Sequence, residues 1–195
     1  MTLPITNSEQ ALEALLAGNR RYAAMRQEYP RQSSDHRTQV LEGQNPFAVI
    51  LSCSDSRVPS ELIFDQGLGD LFIVRTAGHV VDDIALASIE FAVYSLNVPL
   101  VMVLGHSMCG AVTAAASGKI MPGAIPHLTV RLKPALASVS GTAGDLVMNA
   151  TQSHSRLTAA YITAASPVIA QAVESGSVRI VPAYYDLATA HVEIV

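Results

Sequence analysis

Short, fully apolar runs alternate with helical patterns along the middle of the chain. The runs cover residues 47–52 (FAVILS), 71–74 (LFIV) and 99–104 (PLVMVL). Between the second and third runs, Asp82 can cap a helix that extends to Leu96. Its apolar residues recur at helical spacing, at Ile84, Ala87, Phe91 and Tyr94. Because short strands without polar alternation are typical of a sheet covered on both faces, we expect an α/β fold. Its central β-sheet should be mostly parallel and flanked by helices.

The N-terminal section is polar with a helical apolar stripe, which predicts a helical arm. Thr6 and Glu9 fit a capping box ahead of that stripe, and Gly18 is the expected end of the first helix. A second helix is expected over residues 19–28, before Pro30. The polar segment that follows the arm is expected to be irregular up to the first apolar run.

The second half of the chain is expected to hold more helices and two late strands. They are predicted over residues 109–117, 146–174 with a break at Pro167, 178–185 and 191–195, the last as an edge strand. Residues 118–144 are rich in Gly, Pro and Ser and are not assigned an element. We expect one domain over residues 1–195, with the arm over 1–37 and the α/β core over 44–195.

Charged residues are scarce in this chain, which limits the kinds of molecule that it is expected to bind. Charged residues make up 14% of the 195 and the net charge is −4, so no basic surface indicates nucleic acid. Half of the residues are hydrophobic, yet every apolar run is far shorter than the ~20 residues of a membrane span. The N-terminus lacks the regions of a secretory signal. We expect a chain this apolar to bury part of its surface against copies of itself.

Two cysteines, Cys53 and Cys109, are too few for a disulfide scaffold or for a zinc site with three thiolates. One disulfide, two buried thiols and a mixed metal site all stay open. Cys53 follows the first apolar run, and His106 and Cys109 follow the third. If these strands are neighbours, their carboxyl ends bring the three side chains together. Thiolates and an imidazole are good zinc ligands, so the pattern favours zinc.

Two charged residues close behind Cys53 indicate what completes such a site. Two thiolates and one imidazole leave a fourth position for water, substrate or an oxygen ligand such as Asp55. Asp55 can also orient a hydroxide on the metal, and Arg57 can hold the carboxylate ionised and in place. A thiol-redox pair lacks a CxxC motif, and a zinc deaminase lacks PCxxC.

Three stretches of the sequence resemble the β-class carbonic anhydrases. They are CSDSRVPSELIFD, GDLFIVRTAGHV and LGHSMCGAV, which begin at Cys53, Gly69 and Leu104. The likeness covers about residues 44–113 and resumes weakly over 181–192, and the N-terminal helices fit the family's arm. CxDxR followed by HxxCGAV at this separation is highly specific for the family.

The resemblance implies one Zn²⁺ per chain, bound by Cys53, His106 and Cys109, with Asp55 and Arg57 as a dyad that orients the fourth ligand. It implies the reversible hydration of carbon dioxide to bicarbonate and a proton by attack of zinc-bound hydroxide. It also implies a closed state in which Asp55 leaves Arg57 and becomes the fourth zinc ligand.

By the same resemblance, Gln44, Phe64 and Phe91 contact the substrate, and Phe91 stands where many members carry a tyrosine. Core packing is the alternative for both phenylalanines. Ile50 occupies the position of the tryptophan that marks the bicarbonate-regulated subgroup, so that anion site is not expected. His79 stands where many relatives have asparagine, and a structural or surface role is favoured over proton transfer. Family members are dimers or larger with pockets lined by two subunits, so the resemblance implies a homodimer or homotetramer.

Other functions stay open at this point. A hydrolase of carbonyl sulfide or carbon disulfide would share the fold and the zinc ligands. A non-catalytic zinc protein would keep its site permanently closed, although the intact pair of Asp55 and Arg57 argues against it. A thiol-redox protein is the third alternative. Thiolate ligands need a reducing compartment, so we expect a cytoplasmic protein.

Overall fold

A computed structural model describes residues 5–195. Five strands form one sheet, in the order β2-β1-β3-β4-β5. They are β1 (Ala48–Cys53), β2 (Leu71–Thr76), β3 (Leu100–His106), β4 (Arg179–Tyr185) and β5 (Val192–Ile194). The first four run parallel, and β5 pairs antiparallel with β4 at one edge. The predicted α/β class is confirmed, and the first and third strands are neighbours.

Helices cover both faces of the sheet. They are α1 (Ser8–Ala23), α2 (Ser34–Gln39), α3 (Ser60–Ile63), α4 (Asp83–Leu96), α5 (Gly110–Ala116), α6 (Ile125–Ser138), α7 (Leu146–Ala165) and α8 (Pro167–Glu174). Short 3-10 turns lie at Val40–Glu42 and Ala77–His79. Within the described residues, no helix has both the length and the apolar character needed to cross a bilayer. A single domain over the whole chain stays a prediction.

Alternate residues of β1 pack against opposite layers of helices. Ile50 lies in a buried cluster with Leu15 of α1, and Leu51 lies in a second cluster with Ile89 of α4. All residues of β1 and β3 are buried. Because both faces of these strands meet apolar side chains, their sequences show no alternation with polar residues.

The N-terminal helix is present, but its end is not where the sequence predicted it. α1 continues through Gly18 to Ala23, so the expected end at Gly18 and the separate helix over residues 19–28 are wrong. Gly18 is buried, and a Cβ there would lie 1.8 Å from the carbonyl oxygen of Phe64. Close packing of α1 on the backbone that follows α3 therefore explains this glycine.

The start of α1 and the segment after the arm also differ from the prediction. Asn7 is the N-cap, and its side chain accepts a hydrogen bond from the backbone N–H of Gln10. The backbone N–H of Thr6 in turn donates to the Gln10 side chain, so the reciprocal cap lies one residue later than the Thr6 and Glu9 box. Residues 31–46 were expected to be irregular, yet they contain α2 and a 3-10 turn.

Most element boundaries after β2 follow the prediction. Asp82 caps α4 by accepting from the N–H of Ala85, and Ser166 caps α8 with Pro167 at its first position. α6 lies within the segment that the sequence left unassigned. The apolar stripe predicted for α4 is present, but it faces outward: Ile84, Phe91 and Tyr94 are exposed.

Candidate metal centre

The carboxyl ends of β1 and β3 bring three metal-binding side chains together. Cys53 is the last residue of β1, His106 is the last residue of β3, and Cys109 precedes α5. Their ligand atoms, two sulfurs and one imidazole nitrogen, all lie within 4.8 Å of one another. All three residues are buried, and both cysteines are free thiols. The structure thus brings together the set that the motif spacing predicted, with the two cysteines as free thiols rather than a disulfide.

The turn between His106 and Cys109 is fixed by β4 and the segment after it. The N–H of Ser107 donates to the carbonyl of Tyr185 at 2.9 Å, and the Ser107 hydroxyl accepts from the N–H of Leu187 at 2.8 Å. Met108 then adopts a left-handed conformation with φ of 53°, which is uncommon for a non-glycine residue. This turn directs the Cys109 thiol back toward His106.

The imidazole of His106 is prepared to act as a ligand. Its Nδ1 lies 2.9 Å from the carbonyl oxygen of Ser107. Because a carbonyl only accepts, Nδ1 carries the proton and Nε2 carries the free lone pair. Nε2 is buried and has no hydrogen-bond partner among the described residues. A cation shared with the two thiols would satisfy this costly orphan atom, so the donor set fits a zinc ion.

The contact between the two thiols shifts their pKa values in opposite directions. A hydrogen bond with Cys109 is the main cause that lowers the pKa of Cys53 to about 4, and burial opposes it. The N–H of Gly78 also donates to the Cys53 sulfur at 3.2 Å. The same contact between the thiols, together with burial, raises the pKa of Cys109. A divalent cation would hold both as thiolates, because a coordinating thiol is deprotonated outright.

Asp55 lies beside the three donors and is held by Arg57. The Arg57 Nε and Nη2 donate to the two carboxylate oxygens at 3.0 and 2.8 Å, and its backbone N–H adds a third contact at 2.9 Å. These bonds hold the pKa of Asp55 well below its usual range. One carboxylate oxygen lies 4.0 Å from Nε2 of His106. The predicted pair is therefore formed, with the ionised carboxylate next to the ligand atoms.

The structure does not gather the residues predicted to contact the substrate as it gathers Cys53, His106 and Cys109. Gln44 is exposed in the loop before β1. Phe64 is fully buried, in a different apolar cluster from the one that contains both cysteines, which fits the core-packing alternative. Phe91 is half exposed on α4, with its ring centroid 6.3 Å from that of Phe72. Their role in substrate binding stays a prediction.

Two buried histidines pack together, and the sequence drew attention to only one of them. The rings of His79 and His154 lie 4.6 Å apart, and the Ser155 hydroxyl is 3.4 Å from Nε2 of His79. Burial lowers the pKa of both imidazoles, that of His154 to about 4. Complete burial of His79 fits the structural role that we favoured for it. His154 lies on a helix without any motif around it, so the sequence offered no signal for the pair.

Arg75 is a further residue at the site that the sequence analysis did not single out. It lies near the end of β2 and donates to the backbone carbonyls of Cys53 and Asp55 at 3.0 and 2.6 Å. The signal available in the sequence was an arginine at the carboxyl end of the second apolar run. Without the pairing of β1 and β2, nothing placed it beside Cys53.

Comparisons with known proteins agree with this geometry. The sequence model of the family described as carbonic anhydrase matches residues 48–192. The chain is 45% identical over 189 residues to carbonic anhydrase 2 of Mycobacterium tuberculosis, an alignment that covers 95% of this chain and 91% of the relative. It is 40% identical over 196 residues to a carbonic anhydrase of Mycolicibacterium smegmatis, covering 98% and 95% of the two chains.

The solved structures show the same fold. One of two β-carbonic anhydrases from the ascomycete Sordaria macrospora, described as tetrameric, matches with a TM-score of 0.78. The match covers 94% of this chain and 96% of that one at 23% identity. The family match spans Cys53, the pair of Asp55 and Arg57, His106 and Cys109. The chain therefore belongs to the carbonic anhydrase family, in the β class that its motifs resemble.

Proposed function

We propose that this family member binds one zinc ion per chain and catalyses the reversible hydration of carbon dioxide to bicarbonate and a proton. One observation carries the proposal: the unpartnered Nε2 of His106 faces two buried thiols, with an ionised Asp55 beside them. This arrangement offers a dry set of metal donors and an adjacent anion that can accept a hydrogen bond. Both are what hydration of a small neutral molecule requires.

Cys53, His106 and Cys109 would hold the zinc ion as two thiolates and one neutral imidazole. Three protein ligands leave one position open, which is the arrangement of catalytic rather than structural zinc sites. The two thiolates balance the charge of Zn²⁺, so the buried site would be neutral when loaded. A bound zinc ion supplies the Lewis acidity that makes a water molecule nucleophilic near neutral pH.

Asp55 would orient the reacting water by accepting its hydrogen bond. Arg57 keeps the carboxylate ionised and fixes both of its oxygens, so Asp55 acts as an acceptor and does not supply a proton. We propose, in addition, that Asp55 can leave Arg57 and become a fourth ligand in a closed state. A series of crystal structures across pH tests this: a carboxylate that stays with Arg57 throughout would contradict it.

Gln44, Phe64 and Phe91 remain the proposed contacts for carbon dioxide. Gln44 and Phe91 are exposed on the single chain, which supports a pocket completed by a second copy. We therefore propose a homodimer or a larger homo-oligomer, such as a tetramer. A cytoplasmic location follows from the need to keep two ligand thiols reduced.

Removal and return of the metal test the proposal. Protein stripped with a chelator is expected to lose carbon dioxide hydration and to expose two titratable thiols, because both ligands are then free. Added zinc should restore the rate and mask both thiols again. Unchanged hydration after complete stripping would contradict the proposal.

Assays with other substrates separate the related activities. Carbonyl sulfide and carbon disulfide are offered to the zinc-loaded protein, and sulfide release is measured. Slow release with fast carbon dioxide hydration is the expected result. The reverse order would indicate a hydrolase on the same scaffold, and zinc binding with no turnover of any substrate would indicate a non-catalytic zinc protein.

A further inference from the structure

Arg75 lies where β1 passes into the loop that carries Cys53 and Asp55. Ser52 and Arg75 are register partners in the parallel pair of β1 and β2. The Arg75 side chain reaches past the end of β1, where Nε donates to the Cys53 carbonyl at 3.0 Å and Nη2 to the Asp55 carbonyl at 2.6 Å. One guanidinium therefore joins the two carbonyls on either side of Ser54.

These contacts differ in kind from those of the neighbouring Arg57. Arg57 forms an ion pair with the Asp55 carboxylate, whereas among residues 5–195 Arg75 forms no ion pair with a carboxylate. The planar guanidinium of Arg75 donates to backbone carbonyls alone. Because its N–H groups have a fixed geometry, it fixes the two carbonyl oxygens relative to each other. The Asp55 carbonyl also accepts the N–H of Val58 at 3.0 Å, so the loop is held from both sides.

The segment that begins at Arg75 contacts Cys53 a second time. Three residues later, the N–H of Gly78 donates to the Cys53 sulfur at 3.2 Å. Gly78 has φ of +69°, a left-handed conformation that disfavours other residues. The end of β2 and the turn after it thus fix both the backbone and the sulfur of Cys53. The same segment also fixes the backbone of Asp55.

We propose that Arg75 is a positioning residue for the metal centre, which sets the Cys53 thiolate and the Asp55 carboxylate at a fixed separation through their backbone carbonyls. Ligand distances in protein metal sites are expected to lie within about 0.2 Å of their standard values. A loop held at two carbonyls by a rigid guanidinium meets that requirement better than one held by its ends. The inference rests on the proposed zinc-dependent function, because it assigns a role toward the same site.

The test compares Arg75→Ala and Arg75→Lys with the wild type and with Arg156→Ala, a control at an exposed arginine on α7. Zinc affinity is measured by competition with a chromophoric chelator, and the geometry by the ligand-field and thiolate charge-transfer bands of the Co²⁺-substituted protein. Arg75→Ala is expected to weaken zinc binding about 10–100-fold and to shift the Co²⁺ bands. Arg75→Lys should lie between, since one ammonium partly replaces the fork, and Arg156→Ala should match the wild type.

Wild-type zinc affinity and an unchanged Co²⁺ spectrum in Arg75→Ala would overturn the proposal, even if the variant unfolds at a lower temperature. If Arg75→Ala does not fold, Arg75→Gln takes its place, because one amide cannot bond both carbonyls with the geometry of a guanidinium. Wild-type affinity and spectrum in Arg75→Gln would then overturn it. A wild-type protein that binds no zinc would contradict the proposed function itself, so the two failures are distinguishable.

Discussion

At the scale of single residues, Asp55 and Arg57 form an ion pair that is tied to both loops of the candidate metal centre. Arg57 bonds both carboxylate oxygens of Asp55 and also donates to the carbonyl of Met108, between His106 and Cys109. In this structure the carboxylate is therefore fixed by Arg57, although it lies partly in solvent. Its position depends on the same loops that carry the metal donors, so a change in its charge should affect the reaction more than the metal content.

Asp55→Asn tests whether Asp55 serves the reaction and not the binding of the metal. The amide keeps the size of the side chain but loses the charge that lets it accept strongly from the reacting water. We expect zinc content to stay at the wild-type level, while kcat/KM for carbon dioxide hydration falls roughly 100-fold or more. Asp35→Asn, at an exposed position on α2, is the control. Wild-type kcat/KM in Asp55→Asn would remove Asp55 from the mechanism.

The buried pair of His79 and His154 predicts a loss of stability in mild acid. Burial lowers the pKa of His154 from its usual 6.5 to about 4, so between these values the unfolded chain binds more protons than the folded one. Stability is therefore complete above about pH 6.5 and falls as the pH drops toward 4. The shift corresponds to about 3 kcal/mol from this group, as an order of magnitude.

Urea unfolding of the wild type and of His154→Asn across pH 7 to pH 4 measures this effect. Acid also releases metal in both proteins, so only the difference between their unfolding free energies is interpreted. As the pH falls, the free energy of unfolding should decrease more for the wild type than for His154→Asn. A difference that stays constant over the range would show that His154 does not carry the acid sensitivity.

At the scale of elements, α1 is fixed to the core by a close approach of two backbones. Gly18 allows α1 to lie against the carbonyl of Phe64, where a Cβ would be only 1.8 Å away. Nearby, Asn19 is buried and donates to the carbonyls of Ile63 and Ala190 at 3.2 and 2.9 Å. The arm is therefore part of the packed structure, and its contact surface tolerates no extra atom.

Gly18→Ala is expected to destabilise the protein by about 1–3 kcal/mol or more, because the added methyl group must displace backbone. Helix propensity alone would predict the opposite sign. The control is Gly43→Ala, where an added Cβ meets nothing within 4 Å, and it should change stability by less than about 0.5 kcal/mol. Equal unfolding free energies for the two variants would contradict the packing account of Gly18.

The sequence predicted some elements well because their patterns reflect local physics. The strands β1 and β3 are buried on both faces, so their apolar runs are unambiguous, and Asp82 caps α4 as its side chain allows. Gly18 was misassigned because a glycine required by a tertiary contact looks the same as one that ends a helix. α6 was missed because prolines and small residues hide a helix whose stability comes from its packing on α5 and α7.

At the scale of the whole molecule, the side of the sheet at β2 presents an unusual apolar surface. β2 is the edge strand there, and Ile84 and Tyr94 of α4 are each more than three-quarters exposed. Phe91 lies on the same helix beside Phe72 of β2. An exposed edge strand next to an apolar helix face is a ready surface for self-association, which supports the proposed homo-oligomer.

Size-exclusion chromatography with light scattering tests this surface. We expect the wild type to have at least twice the mass of the 20.6 kDa chain. Ile84→Glu should shift the protein toward the monomer, because a carboxylate would be buried without a partner. The matched control is Ile120→Glu, at a fully exposed isoleucine outside this surface. A monomeric wild type, or an unchanged mass in Ile84→Glu, would contradict the assignment.

The centre of the site was predictable and its surroundings were not. Cys53 and His106 end neighbouring parallel strands and Cys109 follows three residues after His106, so the sheet and one short turn bring them together. Arg75 reaches the site, and His154 reaches the buried His79, from segments whose neighbours only the fold defines. The same limit applies to Gln44 and Phe91, which are exposed on one chain and would acquire their surroundings from a second copy in the proposed homo-oligomer.

The most direct test of the central claim is stopped-flow carbon dioxide hydration with metal-quantified protein. We expect about one zinc per chain in the wild type and hydration well above the buffer rate, in proportion to protein concentration. Cys53→Ala should lose both the zinc and the hydration. A wild-type protein with its full zinc content that hydrates carbon dioxide no faster than buffer would contradict the proposed carbon dioxide hydration.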